Sequence, residues 1–288
     1  MNRMTRFALG VLGTFALLAA TSLAVFAAPA PSLGGAANFL VLGGAGVTCS
    51  TSTVAGNVGS KLTVTQTGCS ISGNIHQGDA TAINAFNNFD TAYNNFKGLP
   101  CGTDLTGQAL GGKTLAPGVY CFSSTADLTS GILTLAGPPA SGVWVFQIGS
   151  SITTGTAQVV MAGGASACNV YWVPTAAATI GTGMKMQGNI LAGSAVTFTG
   201  TNSSLVGRAL AHTAVTMTGT TISGCGGTSA GGGGGGGGGG DKDKDKGKDK
   251  DKDHDGDHDN DGDHHGGDHG GGDHGGGDNN GGDNHGHD

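Results

Sequence analysis

Residues 195–211 read AVTFTGTNSSLVGRALA and residues 214–224 read AVTMTGTTISG, one pattern written twice at a spacing of 19 residues. Neighbouring residues of a strand point to opposite sides. With Val196 and Phe198 facing a core in the first copy, and Val215 and Met217 in the second, Thr197, Thr199, Thr201, Thr216, Thr218 and Thr220 face outward. Stacked as coils, such copies hold threonines about 6.6–6.8 Å apart along a row and about 4.7–4.9 Å apart between rows.

The rhythm extends upstream. Val119-Tyr120-Cys121-Phe122, Val143-Trp144-Val145-Phe146 and Val170-Tyr171-Trp172-Val173 open three units 24 and 27 residues apart. Each is followed, nine residues after its start, by Leu128-Thr129-Ser130-Gly131, Ile152-Thr153-Thr154-Gly155 or Thr179-Ile180-Gly181. Strand-rich repeats of this length with glycine at the corners predict a β-solenoid. Alignment of the units on Gly131, Gly155, Gly181, Gly200 and Gly219 adds Thr154, Thr156 and Thr182 to the outward columns, with Ser130 and Ile180 interrupting them.

One segment follows a different period. Ala82, Ala85, Phe86, Phe89, Ala92, Tyr93 and Phe96 recur every three or four residues, with asparagines and Asp90 between them, which predicts an amphipathic helix over about 80–96. Asp79 is placed as its N-cap, and Gly98 and Pro100 end it. An aromatic stripe at this spacing is a packing face rather than a cofactor site.

Charge is segregated along the chain. Between Ala28 and Ala230 five basic residues stand against four aspartates, a balance of +1, whereas residues 241–288 hold six lysines and 16 aspartates, a balance of −10. So sparsely charged a domain has no basic patch for nucleic acid. Beyond Ala230 no apolar residue follows, so 226–240 reads as a glycine-rich linker and 241–288 as a disordered tail. At the other end Arg3 and Arg6, an apolar run and Val25-Phe26-Ala27 predict a signal peptide over 1–27, leaving a secreted, extracellular domain at 28–225 with no membrane segment.

Six cysteines in an exported domain point to disulfides. They allow 15 pairings. Cys49 with Cys69 and Cys101 with Cys121 are each 20 residues apart, close to one coil, which favours those two and leaves Cys168 with Cys225.

Four ordered segments resemble a known family. They are LGGAANFLVLGG from Leu33, GNIHQGDATAINAF from Gly73, TDLTGQALGGKTLAPGVYCF from Thr103 and ACNVYW from Ala167. Together with the helix, they make residues 32–225 similar to the ice-binding-like family, also known as DUF3494. The resemblance implies a mostly β chain, a right-handed β-solenoid with one long helix alongside. It also implies the ice crystal surface as partner; the flat face expected to meet it is the one read above from alternation and glycine alignment, Thr154, Thr156, Thr182, Thr197, Thr199, Thr201, Thr216, Thr218 and Thr220. The alternative is an extracellular adhesin or matrix protein that contacts cell surfaces through the same scaffold.

Catalysis is poorly supplied. The chain contains no glutamate, and its domain holds four aspartates and two histidines, His76 and His212. His212 is read as a solvated turn residue between the threonine coils. No cofactor is required. In the tail, Asp257, Asp259, Asp261 and Asp268 have the spacing of a calcium loop, without its flanking helices or its bidentate glutamate. Weak, diffuse binding of divalent cations by the tail's many Asp and His residues is the expectation there.

Overall fold

The structure, a computed structural model, describes residues 30–138 and 141–226. The signal peptide, most of the linker, the tail and the cation candidates Asp257, Asp259, Asp261 and Asp268 lie outside the described residues.

Among these, 22 short strands pair in parallel throughout, forming one 15-stranded and one 7-stranded sheet. The larger sheet covers two sides of a solenoid. Its two longest strands, Lys185–Ala192 and Ser203–Ala211, cross from one side to the other. The crossing falls at Gly188 and Gly207, which are register partners with φ of 111° and 149°. A side chain at Gly207 would collide with the Gly188 backbone, so the corner is open only to glycine.

On one side the strands stack in the order Ile75–Gln77, Asn57–Ser60, Phe39–Gly43, the second halves of Ser203–Ala211 and Lys185–Ala192, Val170–Pro174, Trp144–Ile148, Gly118–Phe122 and Thr103–Asp104. The first and last coils of the repeat therefore meet inside the stack, where Phe39–Gly43 lies beside Ser203–Ala211. We call this junction the seam. From Ile75–Gln77 at one end, the chain enters the helix Ala80–Lys97 and returns at Thr103–Asp104 at the other. Eighteen residues at 1.5 Å each make a helix of about 27 Å, matched to such a span once the turns at its ends are added.

The helix buries the seven predicted residues, from Ala82 to Phe96. They pack on Leu42, Leu210, Leu191, Tyr171, Val173 and Val145, which point outward from five successive strands. Phe96 stacks on Tyr171 at 4.3 Å between ring centres. Asp79 caps the first turn by accepting the Ala82 amide at 2.8 Å. At the other end the Gln147 Nε2 donates to the carbonyls of Phe96 and Leu99, each at 2.8 Å, replacing partners the helix itself cannot offer.

Inside the coils, the repeats opened by Val119, Val143 and Val170 stack in register. Tyr120, Phe146 and Trp172 are ladder partners, with ring centres 5.4 and 4.0 Å apart. Both tryptophans are fully buried, and each indole N–H finds a backbone carbonyl, Leu115 for Trp144 and Gln187 for Trp172. The disulfides are Cys49–Cys69, Cys101–Cys121 and Cys168–Cys225, the pairing favoured from spacing.

Candidate functional site

With the helix covering one side of the solenoid, two sides stay open. The seven-stranded sheet forms one of them, in the order Ala126–Leu128, Ile152–Thr154, Ala178–Ile180, Val196–Phe198, Ala214–Thr218, Gly46–Ser50 and Thr63–Thr67. Its inward residues fill the core: Ala126 and Leu128, Ile152, Ala178 and Ile180, Val196 and Phe198, Val215 and Met217, Val47 and Cys49 are all buried. Its central outward residues are direct register partners from strand to strand. They run Asp127, Thr153, Thr179, Thr197, Thr216, Thr48 and Thr65, a column of six threonines closed at one edge by an aspartate.

A second column lies beside the first. Ser50 pairs with Thr218 on one side and Thr67 on the other, and exposed Thr199 follows Phe198 in the neighbouring coil. The Thr199 hydroxyl donates to the Ile180 carbonyl at 3.2 Å, which fixes its rotamer and leaves its lone pairs toward solvent. Asp127 is the one charged side chain among the residues of these seven strands.

Of the residues expected on this surface, Thr197, Thr199, Thr216 and Thr218 lie on it. The others require correction. Thr154 is inward and 5% exposed, its Oγ1 accepting the Gly181 amide at 3.1 Å; the outward residue is its neighbour Thr153. Thr220 is 1% exposed and opens a strand of the larger sheet. Thr156, Thr182 and Thr201 are exposed but sit at the corner beyond the strands.

Thr156, Thr182, Thr201 and Thr220 each follow the corner glycine, where the strand of this sheet has already ended. For Thr154 the cause is a one-residue difference in corner length. From the first inward residue of each strand the glycine comes three residues later at Gly155 and Gly181, but four later at Gly200 and Gly219. Aligning glycines therefore moves Ile152–Thr154 and Ala178–Ile180 out of step by one position, which exchanges the two sides of a strand. The supposed interruption Ile180 is an ordinary core residue paired with Phe198.

Thr48, Thr63, Thr65 and Thr67 were missed altogether. Their signal was present: GVTCS at 46–50 and TVTQT at 63–67 alternate like AVTMT at 214–218. They stand far from the later copies in sequence, and only closure of the seam brings them together.

The other open side is less regular. One of its columns runs Ser70, Thr53, Thr221, Ser204, Lys185, Gln158 and Ile132. Val160, Thr134 and Gln187 add further mixed chemistry beside it. A lysine, two glutamines and exposed aliphatic side chains interrupt the hydroxyls at the centre of that side.

Both domain histidines serve packing. His76 Nδ1 lies 2.8 Å from Asp79. His212 is not a solvated turn residue: its Nε2 is 2.8 Å from Asp90 on the helix, its Nδ1 is 3.1 Å from the Ala192 carbonyl, and its ring packs among Phe86, Phe89 and Tyr93. Among the described residues, no group of three His, Cys, Asp or Glu side chains could hold a metal ion.

The family model for ice-binding-like proteins matches residues 33–223 of this sequence. The chain belongs to the ice-binding-like family. The match covers every strand and helix described above. The ice-binding protein of Nostoc sp. strain HG1 is 42% identical over 179 residues, 60% of this chain and 66% of that one. The K1-A ice-binding protein of Typhula ishikariensis is 34% identical over 62% of this chain and 85% of its own length. Among solved structures, the ice-binding protein of the Antarctic ascomycete Antarctomyces psychrotrophicus superposes with a TM-score of 0.64 at 33% identity, covering 68% of this chain and 98% of that one. An Arctic yeast ice-binding protein with antifreeze activity gives a TM-score of 0.61 at 28% identity, covering 94% of that chain.

Proposed function

We propose that this protein is exported and adsorbs to ice through the outward side of the seven-stranded sheet. The observation that carries this reading is the column of six threonines held in unbroken register across six coils. Each threonine sets a methyl group beside a hydroxyl, and its β-branch restricts χ1. Methyls hold water in cages while hydroxyls anchor it, so a lattice of both orders a layer of water that merges with ice. Mobile charges would disrupt that layer, and this side keeps its one charge at the edge.

Relatives named for ice binding support the ligand. The contrast between the two open sides supports the location. Three disulfides suit a protein of an oxidising, extracellular compartment.

The first test is functional. The purified chain produces thermal hysteresis and slows recrystallisation of fine-grained ice at micromolar concentration; absence of both effects refutes the reading.

A further inference from the structure

The threonine column crosses the seam between Thr216 and Thr48, and nothing covalent within the sheet sets the register there. The corner behind the column holds a feature restricted to that junction. At the first inward position of the larger sheet, successive coils carry Ala157, Met184, Ser203, Thr220 and Ser52. The apolar pair lies farther from the seam; Thr220 and Ser52 face each other across it, and Ser203 stands one coil away beside Thr220. These three hydroxyl residues are buried, at 1%, 3% and 2% exposure.

The hydroxyls are joined to one another and to the candidate face. Ser203 Oγ lies 2.8 Å from Thr220 Oγ1, which donates to the Thr218 carbonyl at 3.3 Å. Across the seam, the Thr220 amide donates to Ser52 Oγ at 3.1 Å, and Ser52 Oγ donates to the Ser50 carbonyl at 2.8 Å. Thr218 and Ser50 are register partners in the second outward column. The ladder thus grips, from behind, the two residues that flank the seam on the open surface.

We propose that Ser203, Thr220 and Ser52 are positioning residues that fix the register of the seam and so keep the two halves of the threonine surface in one lattice. A slip would set these hydroxyls against apolar neighbours or leave them unpaired, and an unsatisfied buried polar group costs far more than a satisfied one contributes. Apolar alternation already excludes a one-residue slip, which would turn the core side outward; the hydroxyl pairs add discrimination against a two-residue slip, which alternation permits. The role rests on the ice-binding reading of the surface, but its structural half is measurable without ice.

The test compares Thr220→Ser with the triple variant Ser52→Ala, Thr220→Val, Ser203→Ala in the full chain. The triple variant removes all three hydroxyls but keeps the backbone groups they bond, and the Thr220 amide loses its Ser52 acceptor, which costs stability as well as register. The triple variant is therefore expected to melt below the wild-type temperature while staying folded in the cold, lose most of its thermal hysteresis and show weakened or multiple NMR contacts between Thr48 and Thr216. Thr220→Ser keeps both activity and contact. Wild-type activity in the triple variant, or one unchanged Thr48–Thr216 contact, overturns the proposal. An inactive wild-type chain would instead overturn the ice-binding reading, and the NMR contact would still decide the role of the ladder.

Discussion

At the scale of the residue, two adjacent threonines separate the work of the surface from that of the core. Thr153 points outward in the column, and Thr154 points inward and holds the Gly181 amide. Thr154→Val leaves that amide without its acceptor and is expected to destabilise the fold by about 1–3 kcal/mol, read as a lowered midpoint in thermal unfolding. Thr153→Lys should leave the midpoint nearly unchanged while reducing thermal hysteresis. The residue types of the surface were legible in the sequence because alternation exposes them strand by strand. Which of two neighbouring threonines faced water was not, because corner length varies by one residue between coils and glycine marks the corner rather than the strand.

At the scale of the element, the helix was the most legible part. Its seven apolar positions repeat at the helical period and all seven are buried, since a single amphipathic stripe needs one apolar face to meet. Its fastenings were less visible because they come from distant segments. Gln147 reaches back about 50 residues to the final carbonyls, and His212 reaches across from the coil nearest the seam to Asp90. Gln147→Leu is expected to speed amide exchange in the last helical turn. Asp79 brings a pH dependence: the Ala82 amide first, and then the His76 side chain, hold its carboxyl below the ordinary 3.8. A group lowered in the folded state contributes its stability fully above the unfolded value and loses it as pH falls through the folded one. Asp79→Asn keeps a capping oxygen, so it should flatten that part of the decline in melting temperature measured below about pH 4.

At the scale of the whole described domain, the solenoid is a stack whose first and last coils in sequence are neighbours in space. Repeats read along the chain reveal coils but not their order once the helix carries the chain from one end of the stack to the other. The repeats in sequence therefore point to the final coils alone, whereas the column continues through Thr48 and Thr65 from the first ones. Two of the three disulfides guard the ends of the stack. Cys49–Cys69 ties the edge strand Thr63–Thr67 to its neighbour across 20 residues of chain, and Cys101–Cys121 does the same near the opposite end. Loss of Cys49–Cys69 by paired serine substitution is expected to cost about 3 kcal/mol by loop entropy, with exchange fastest in 63–67.

The central claim is that one open side of this solenoid meets ice and the other does not. Thr216 and Thr221 are outward threonines of the same coil, one on each side. Thermal hysteresis measured on Thr216→Lys and Thr221→Lys, at equal concentration and with unchanged circular dichroism, tests the claim directly. The account predicts near-complete loss in Thr216→Lys and near wild-type activity in Thr221→Lys; the reverse pattern, or full activity in both, would contradict it.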